Sequence, residues 1–346
     1  MLGYASCMTA TATASLTPFT HRADMSALKH LVATDMVRVN QVILEHGHSD
    51  IPLINDLASH IIAAGGKRLR PSLTVAAAKL CGYEGDRHVR LAACVEFIHT
   101  ATLLHDDVVD ESHLRRGAAT ANALWGNKSS VLVGDFLFSR AFQLMVKDGS
   151  LDVLKILSDA SAIIASGEVH QLMVSHDLSI TQDIYEQVLS AKTAALFAAA
   201  CEIGAVVSDQ PQWREPLRAY GQALGMAFQL VDDALDYQAS EEDLGKAIGD
   251  DFRDGKVTLP VLIAYQQGST DERAFWESAI QNGESISDDD LRRAKNLLAQ
   301  HEAFTKTIAV AENFADAARN ALNGFPASAA KNAMLEAAEF AVARSH

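Results

Sequence analysis

No two cysteines in this chain stand at CxxC spacing. Cys7, Cys81, Cys94 and Cys201 are far apart, which argues against a zinc site and reads as reduced thiols in a cytoplasmic protein. Long basic runs are missing too, and the formal net charge is −15. That balance argues against a nucleic-acid partner and against electrostatic docking on anionic lipid. No uninterrupted apolar run approaches the length of a membrane span. The longest weakly polar stretch, 194–207, contains Glu202 and reads as a buried helix. Proline is scarce, with seven in 346 residues, and no segment sustains two-residue alternation rich in β-branched residues. A sheet protein is therefore not expected.

What is present is apolar and helical. Residues of the hydrophobic class make up 49% of the chain, enough for a large core. Apolar residues recur at three- and four-residue spacing through 28–44, 71–80, 89–109, 131–146, 151–174, 184–207 and 217–237, predicting helix after helix. The breaks are short. Gly65-Gly66 ends one helix and Pro71 sits in the first turn of the next, while Gly149-Ser150 links two long helices. Residues 1–23 hold no acidic residue and one cation, Arg22. That is weak support for a transit peptide, and the segment reads instead as a disordered tail or an upstream start, with Met8 and Met25 as later alternatives. No linker divides the remainder, so 24–346 is expected to form a single all-α domain. Its most polar loop, 239–256, follows directly on an acidic motif and would serve as a lid. The C-terminal third, 271–346, is helical with no legible chemical motif.

The chemistry lies in an acidic pattern that occurs twice. Asp106-Asp107-Val108-Val109-Asp110 and Asp232-Asp233-Ala234-Leu235-Asp236 both sit in apolar helical surroundings. Positions i and i+4 stack on one helix face, so Asp106 lies over Asp110 and Asp232 over Asp236. Such charge beside apolar neighbours calls for a neutralising cation. Hard carboxylate oxygens suit Mg²⁺, which commonly bridges one or two carboxylates to substrate phosphates. Two such clusters facing each other across a bundle would form a multi-metal diphosphate site.

Other candidates are weaker singly. Lys67, Arg68 and Arg70 crowd a glycine turn before a helix, an arrangement that suits an anion but is more often solvated surface. His99 lies about two turns before Asp106 on nearly the same face; alone, it reads as a core histidine. Arg115-Arg116 could grip two phosphates or sit in solvent. Lys192, Thr193 and Gln229 alone read as ordinary helix residues.

Taken together, these segments resemble the trans-isoprenyl diphosphate synthases, or polyprenyl synthetases, over nearly everything after residue 25. The matching runs are GGKRLRP (65–71), FIHTATLLHDDVVDESHLRRG (97–117), GNKSSVLVGDFL (126–137), GEVHQLM (167–173), AKTAALF (191–197), FQLVDDALDY (228–237) and the GK…GDD…GK…TLP segment (245–260). The likeness is greatest to the octaprenyl and decaprenyl diphosphate synthases of ubiquinone side-chain synthesis, with a lean to the latter in the C-terminal half.

The resemblance implies an isoprenoid-synthase-type helical bundle around a deep central cavity, working as a homodimer. It implies condensation of isopentenyl diphosphate with an allylic diphosphate such as farnesyl diphosphate, with Mg²⁺, and transient membrane contact for product release. Asp106, Asp110 and Asp232 correspond to metal ligands, with Asp236 beside them and Asp107 and Asp233 in support. Lys67, Arg70, His99 and Arg116 correspond to the isopentenyl diphosphate site. Arg115, Lys192, Lys246 and Lys256 match positions that grip the allylic diphosphate, and Thr193 and Gln229 match groups facing the carbocation. Ala247 after Lys246 departs from the Asn or Pro common in the family, which leaves the lid geometry open. Short-chain relatives place an aromatic plug just before the first acidic motif. Here Ala101, Thr102 and Ile98 stand there instead, implying an open tunnel and a long product. Phe138, Phe142 and Met145 share a face and form either a deeper floor or plain core.

Three other readings fit less well. A terpene cyclase would carry a different second metal motif and lack the basic anchor at 65–71. A non-catalytic regulatory subunit would have lost one acidic motif. A ferritin-like metal protein would need Glu-x-x-His pairs on facing helices.

Overall fold

The computed structural model describes residues 24–63, 66–115, 117–238, 249–281 and 286–343. The N-terminal segment 1–23, Gly65, Arg116 and the loop positions 239–248, including Lys246, lie outside the described residues.

Helices make up nearly all of the described chain. The first half runs α1 (Ser26–Gly47), α2 (Pro52–Ala63), α3 (Leu69–Leu80) and α4 (Arg87–Val109), then a two-residue antiparallel pair, β1 (Leu114–Arg115) with β2 (Ala118–Ala119). It continues with α5 (Ala121–Trp125), α6 (Asn127–Asp148), α7 (Leu151–Val174) and α8 (Gln182–Leu189). A π turn, Ser190–Ala194, leads into α9 (Ala195–Val207), and α10 is Arg214–Gln238. The remainder is α11 (Asp250–Arg253), α12 (Leu259–Gln267), α13 (Thr270–Gln281), α14 (Asp288–Gln300), α15 (Ala303–Ala321) and α16 (Ala329–Ala343). Each helix expected from apolar spacing is present within a few residues of its expected ends, with 184–207 broken by the π turn; α2, α5, α11 and α12 are additions.

Local chemistry sets the boundaries. Gly149 closes α6 in the left-handed conformation at φ 77°, and the Ser150 hydroxyl accepts the Val153 amide to open α7. The Thr181 hydroxyl accepts the Ile184 amide at the start of α8. A reciprocal capping box between Ser287 and Asp290 starts α14.

Two apolar clusters form the interior. One gathers α1, α3, α4, α6 and α9 around Phe97, Phe197 and Tyr220; the other gathers α10, α12, α13 and α15 around Tyr237, Phe252 and Trp276. Helix α10 feeds both, through Leu224 and Ala227 on one side and Leu230 and Val231 on the other. Its approach to the π turn depends on glycine. A Cβ at Gly225 would lie 2.6 Å from Ala194 Cα, and one at Gly221 would lie 2.3 Å from the Phe197 carbonyl. That contact sets the second acidic motif beside Lys192 and Thr193.

Two helical stretches, Asn127–Asp148 and Gln182–Val207, are long and apolar enough to cross a membrane, although 67% of the second's apolar window is buried inside the fold. The first places Met145 in the core and leaves Phe142 on the surface, 36% exposed. Phe138 is half-buried and meets Phe142 edge-on with ring centroids 5.3 Å apart. Of the three, Met145 alone is fully buried.

Candidate active site

A cavity of about 1720 Å³ opens between the C-terminal ends of α4 and α10. Asp106 and Asp110 reach it from α4 and Asp232 from α10, with Lys67, Arg70 and His99 on its basic side. The two acidic motifs and the basic turn, far apart in sequence, thus share one space.

Each carboxylate has its own environment. Burial pushes Asp106 up to about 7, with Lys192 opposing and Glu168 and Asp110 reinforcing the rise. Burial also favours the neutral form of Asp110, but Lys256 and Lys192 outweigh it and hold that carboxyl below its ordinary value. Asp107 is only 2% exposed at its side chain and takes both Nε and Nη2 of Arg115 at 2.7 Å. The β1–β2 turn thereby pins the Arg115 guanidinium beside the first motif. On α10, Asp233 is buried and accepts from Gln229 at 2.8 Å and from the Tyr185 hydroxyl at 2.5 Å. Asp236 is 1% exposed, off the cavity wall, and accepts the Asp251 amide at 3.2 Å. Through that bond Asp236 anchors the segment that carries Lys256, which folds back over it.

Cations sit against this acidic edge. The Lys192 ammonium is 2.7 Å from Glu168 and 3.9 Å from Asp106. That of Lys256 is 2.9 Å from Asp110, 3.0 Å from Asp254 and 3.9 Å from Asp251. Burial works against the Lys256 charge, yet Asp251, Asp110 and Asp254 raise its pKa overall. At the basic side Arg70 stacks on Phe197 at 4.3 Å and donates to His99 Nε2 at 3.2 Å. A guanidinium only donates, so Nε2 accepts and the imidazole carries its proton on Nδ1. Lys67 lies over the rings of Phe340 and Phe228 at 5.3 and 6.0 Å. Arg68 turns aside to pair with Glu96.

The π turn shapes the wall between the two ends. Its Ala195 amide bonds to the Ser190 carbonyl five residues back, a widening frequent at functional sites. Thr193, on this turn, donates to Gln229 Oε1 at 3.0 Å. Of the three positions expected to govern product length, Thr102 is on the cavity wall, whereas Ala101 and Ile98 are 1% and 0% exposed and belong to the packed core.

Four residues emerge here that spacing did not single out. Glu168 holds Lys192, Asp251 and Asp254 surround Lys256, and Tyr185 binds Asp233. Glu168 and Asp251 lie inside the runs GEVHQLM and GDD that carried the resemblance, Asp254 lies between GDD and the following GK, and Tyr185 lies in none.

Among the described residues, no three carboxylate, imidazole or thiol side chains converge tightly enough to enclose a metal ion by themselves. The hard oxygens of Asp106, Asp110 and Asp232 around one open cavity fit a divalent cation that completes its shell from a bound diphosphate. Two ammonium groups drawn to the first motif mark the same demand for positive charge.

Residues 51–298 match the polyprenyl synthetase family model. The chain belongs to that family. It is a prenyltransferase. It is 51% identical over 261 residues to the octaprenyl diphosphate synthase of Escherichia coli (strain K12), covering 75% of this chain and 81% of that one. Its fold matches a polyprenyl synthase from Caulobacter crescentus CB15, complexed with calcium and isoprenyl diphosphate, with a TM-score of 0.91 and 52% identity over 93% of this chain and 98% of the other. A decaprenyl diphosphate synthase from Rhodobacter capsulatus superimposes with a TM-score of 0.88 and 48% identity, covering 93% of this chain and 100% of that one.

Proposed function

We propose that this prenyltransferase is a long-chain all-trans-polyprenyl diphosphate synthase, extending an allylic primer such as farnesyl diphosphate with isopentenyl diphosphate to octaprenyl through decaprenyl length for a ubiquinone side chain. The observation that carries the reading is the shared cavity, with carboxylates and ammonium groups at one side and Lys67, Arg70 and His99 at the other. Identity to octaprenyl and decaprenyl synthases supports the length.

The residues divide the work. Asp106, Asp110 and Asp232 hold Mg²⁺, which when bound neutralises charge on the leaving diphosphate. Arg115, Lys192 and Lys256, with Lys246, take up the rest of that charge. Lys67, Arg70 and His99, with Arg116, anchor isopentenyl diphosphate so that its double bond faces the allylic carbon. No enzyme nucleophile is needed. Thr193 and Gln229 turn oxygens toward the developing cation, and the released diphosphate accepts the final proton. Apolar wall residues such as Leu103, Val188 and Phe228 keep water from the cation.

Two helices leave apolar residues uncovered, among them Leu132 and Val146 on α6 and Leu151 and Met173 on α7. Their exposure supports a homodimer in which a second copy covers them, and the apolar product supports transient membrane contact at release. Helix α10 packs into both apolar clusters, which supports 24–346 as one domain. Cys81, Cys94 and Cys201 are free thiols, in keeping with the cytoplasm.

Asp106→Ala and Asp232→Ala test the assignment. Each should abolish condensation while leaving the helical circular dichroism spectrum intact; near-wild-type activity in either overturns the metal site.

A further inference from the structure

The carbocation-facing wall is the end of a hydrogen-bonded chain that starts on α8. The Tyr185 hydroxyl donates to Asp233 Oδ2 at 2.5 Å, and the Gln229 amide donates to Asp233 Oδ1 at 2.8 Å. Gln229 Oε1 in turn accepts the Thr193 hydroxyl at 3.0 Å. Tyr185 and Asp233 are 4% and 5% exposed, deep enough for each donor and acceptor to require its partner.

Two donors, the Tyr185 hydroxyl and the Gln229 amide, favour the carboxylate form of Asp233, and for that form the directions in the chain follow. Both Asp233 oxygens take protein donors, so its role is to orient side chains. The opposite flip of Gln229 would set an amide oxygen against a carboxylate oxygen, lone pair against lone pair. The amide nitrogen therefore faces Asp233 and the oxygen faces Thr193. The single Thr193 proton points into Gln229, so the Thr193 oxygen keeps its lone pairs outward.

We propose that Tyr185 is a positioning residue for catalysis: through Asp233 it locks the flip of Gln229 and the proton direction of Thr193, so that acceptor-only oxygens face the allylic cation. The proposal rests on the synthase reading above. It divides the second acidic motif into Asp232 for the metal, Asp233 for the wall and Asp236 for the segment carrying Lys256. It also accounts for the buried phenol, which no step of the reaction needs directly.

Steady-state kinetics with farnesyl diphosphate, isopentenyl diphosphate and Mg²⁺ test it. Tyr185→Phe keeps the ring and removes only the donor. Its kcat should fall about tenfold, while both KM values and the Mg²⁺ concentration for half-maximal rate stay within about twofold. Asp233→Asn should fall further, by about a hundredfold. Its amide can donate to Gln229, flip it and consume the Thr193 lone pairs. In a Thr193→Val background, Tyr185→Phe should cost nothing more, because the residues act as a unit.

Wild-type kcat in Tyr185→Phe overturns the proposal. So does a full additional loss in the Thr193→Val background, which marks a packing role. Recovery of Asp233→Asn at high Mg²⁺ also overturns it, since Asp233 would then serve the metal. Should Asp233→Asn fail to fold, the Tyr185–Thr193 cycle decides alone. A wild-type protein that does not elongate the primer refutes the synthase reading instead, so the two failures are distinguishable.

Discussion

The ammonium of Lys256 lies 2.9 Å from the carboxylate of Asp110, tying the segment after α10 to the C-terminal end of α4. Asp251 and Asp254 hold the same lysine from its own segment. One cation therefore links the first acidic motif to the far side of the cavity.

Lys256→Met should break that link. It removes the charge that does most to hold the Asp110 carboxyl low and leaves Asp251 and Asp254 facing Asp110. The KM for the allylic diphosphate should rise about 10- to 100-fold, as for other lost charge-assisted phosphate contacts. The KM for isopentenyl diphosphate should change little, because Lys67, Arg70 and His99 are untouched. Initial-rate kinetics with each substrate varied in turn check this; equal losses for both would contradict it.

Product length should respond to bulk on α4. Thr102 is on the cavity wall, so Thr102→Tyr should shorten the final product while early additions continue. Ala101 is the preceding residue, buried in the core, so Ala101→Tyr should shorten the product only by displacing packed neighbours toward the cavity, at an overpacking cost of about 1–3 kcal/mol. Chromatography of the dephosphorylated products, with thermal melts, reads both effects. An unchanged product distribution in both variants would contradict the placement of the tunnel.

The first motif was legible because two carboxylates at i and i+4 on an apolar helix have few structural uses. Sequence spacing alone placed Asp106 and Asp110 on one face, and the structure puts both on the cavity. The same spacing could not show that residues after α10 fold back against Asp236, whose carboxylate accepts the Asp251 amide. Tyr185 was illegible for a related reason: its partner Asp233 is 48 residues away, and a tyrosine on an amphipathic helix looks like core. Glu168 carries no signal of its own for the same reason, since the Lys192 it holds is 24 residues away. The π turn at 190–194 was hidden because its residues suit an ordinary helix equally well. The long helices, by contrast, follow from apolar periodicity and short glycine and serine breaks.

Stability should depend on pH through a cluster remote from the cavity. His88 is buried, and burial lowers its pKa from 6.5, with Asp35 opposing and Lys79 and Arg38 assisting. Asp35 also sits low, because Lys79 and His88 outweigh its burial. A histidine with a depressed folded pKa is charged first in the unfolded chain, so stability falls as pH drops below about 6.5. The Asp35 contribution is present above its unfolded value of 3.8 and is lost as pH falls through its lower folded value. Urea unfolding should therefore weaken between pH 7 and 5 by at most about 1.4 kcal/mol per pH unit from this histidine. His88→Gln should remove that part of the slope. An identical slope in the variant would contradict the assignment.

The joined acidic and basic ends of one cavity are read here as the builder of a long polyprenyl chain. The most direct test of that reading is to incubate the purified protein with Mg²⁺, labelled isopentenyl diphosphate and farnesyl diphosphate, and to size the dephosphorylated products. The expected result is a ladder ending between octaprenyl and decaprenyl. A folded protein that adds no unit to the primer, or that stops after the first addition, would contradict it.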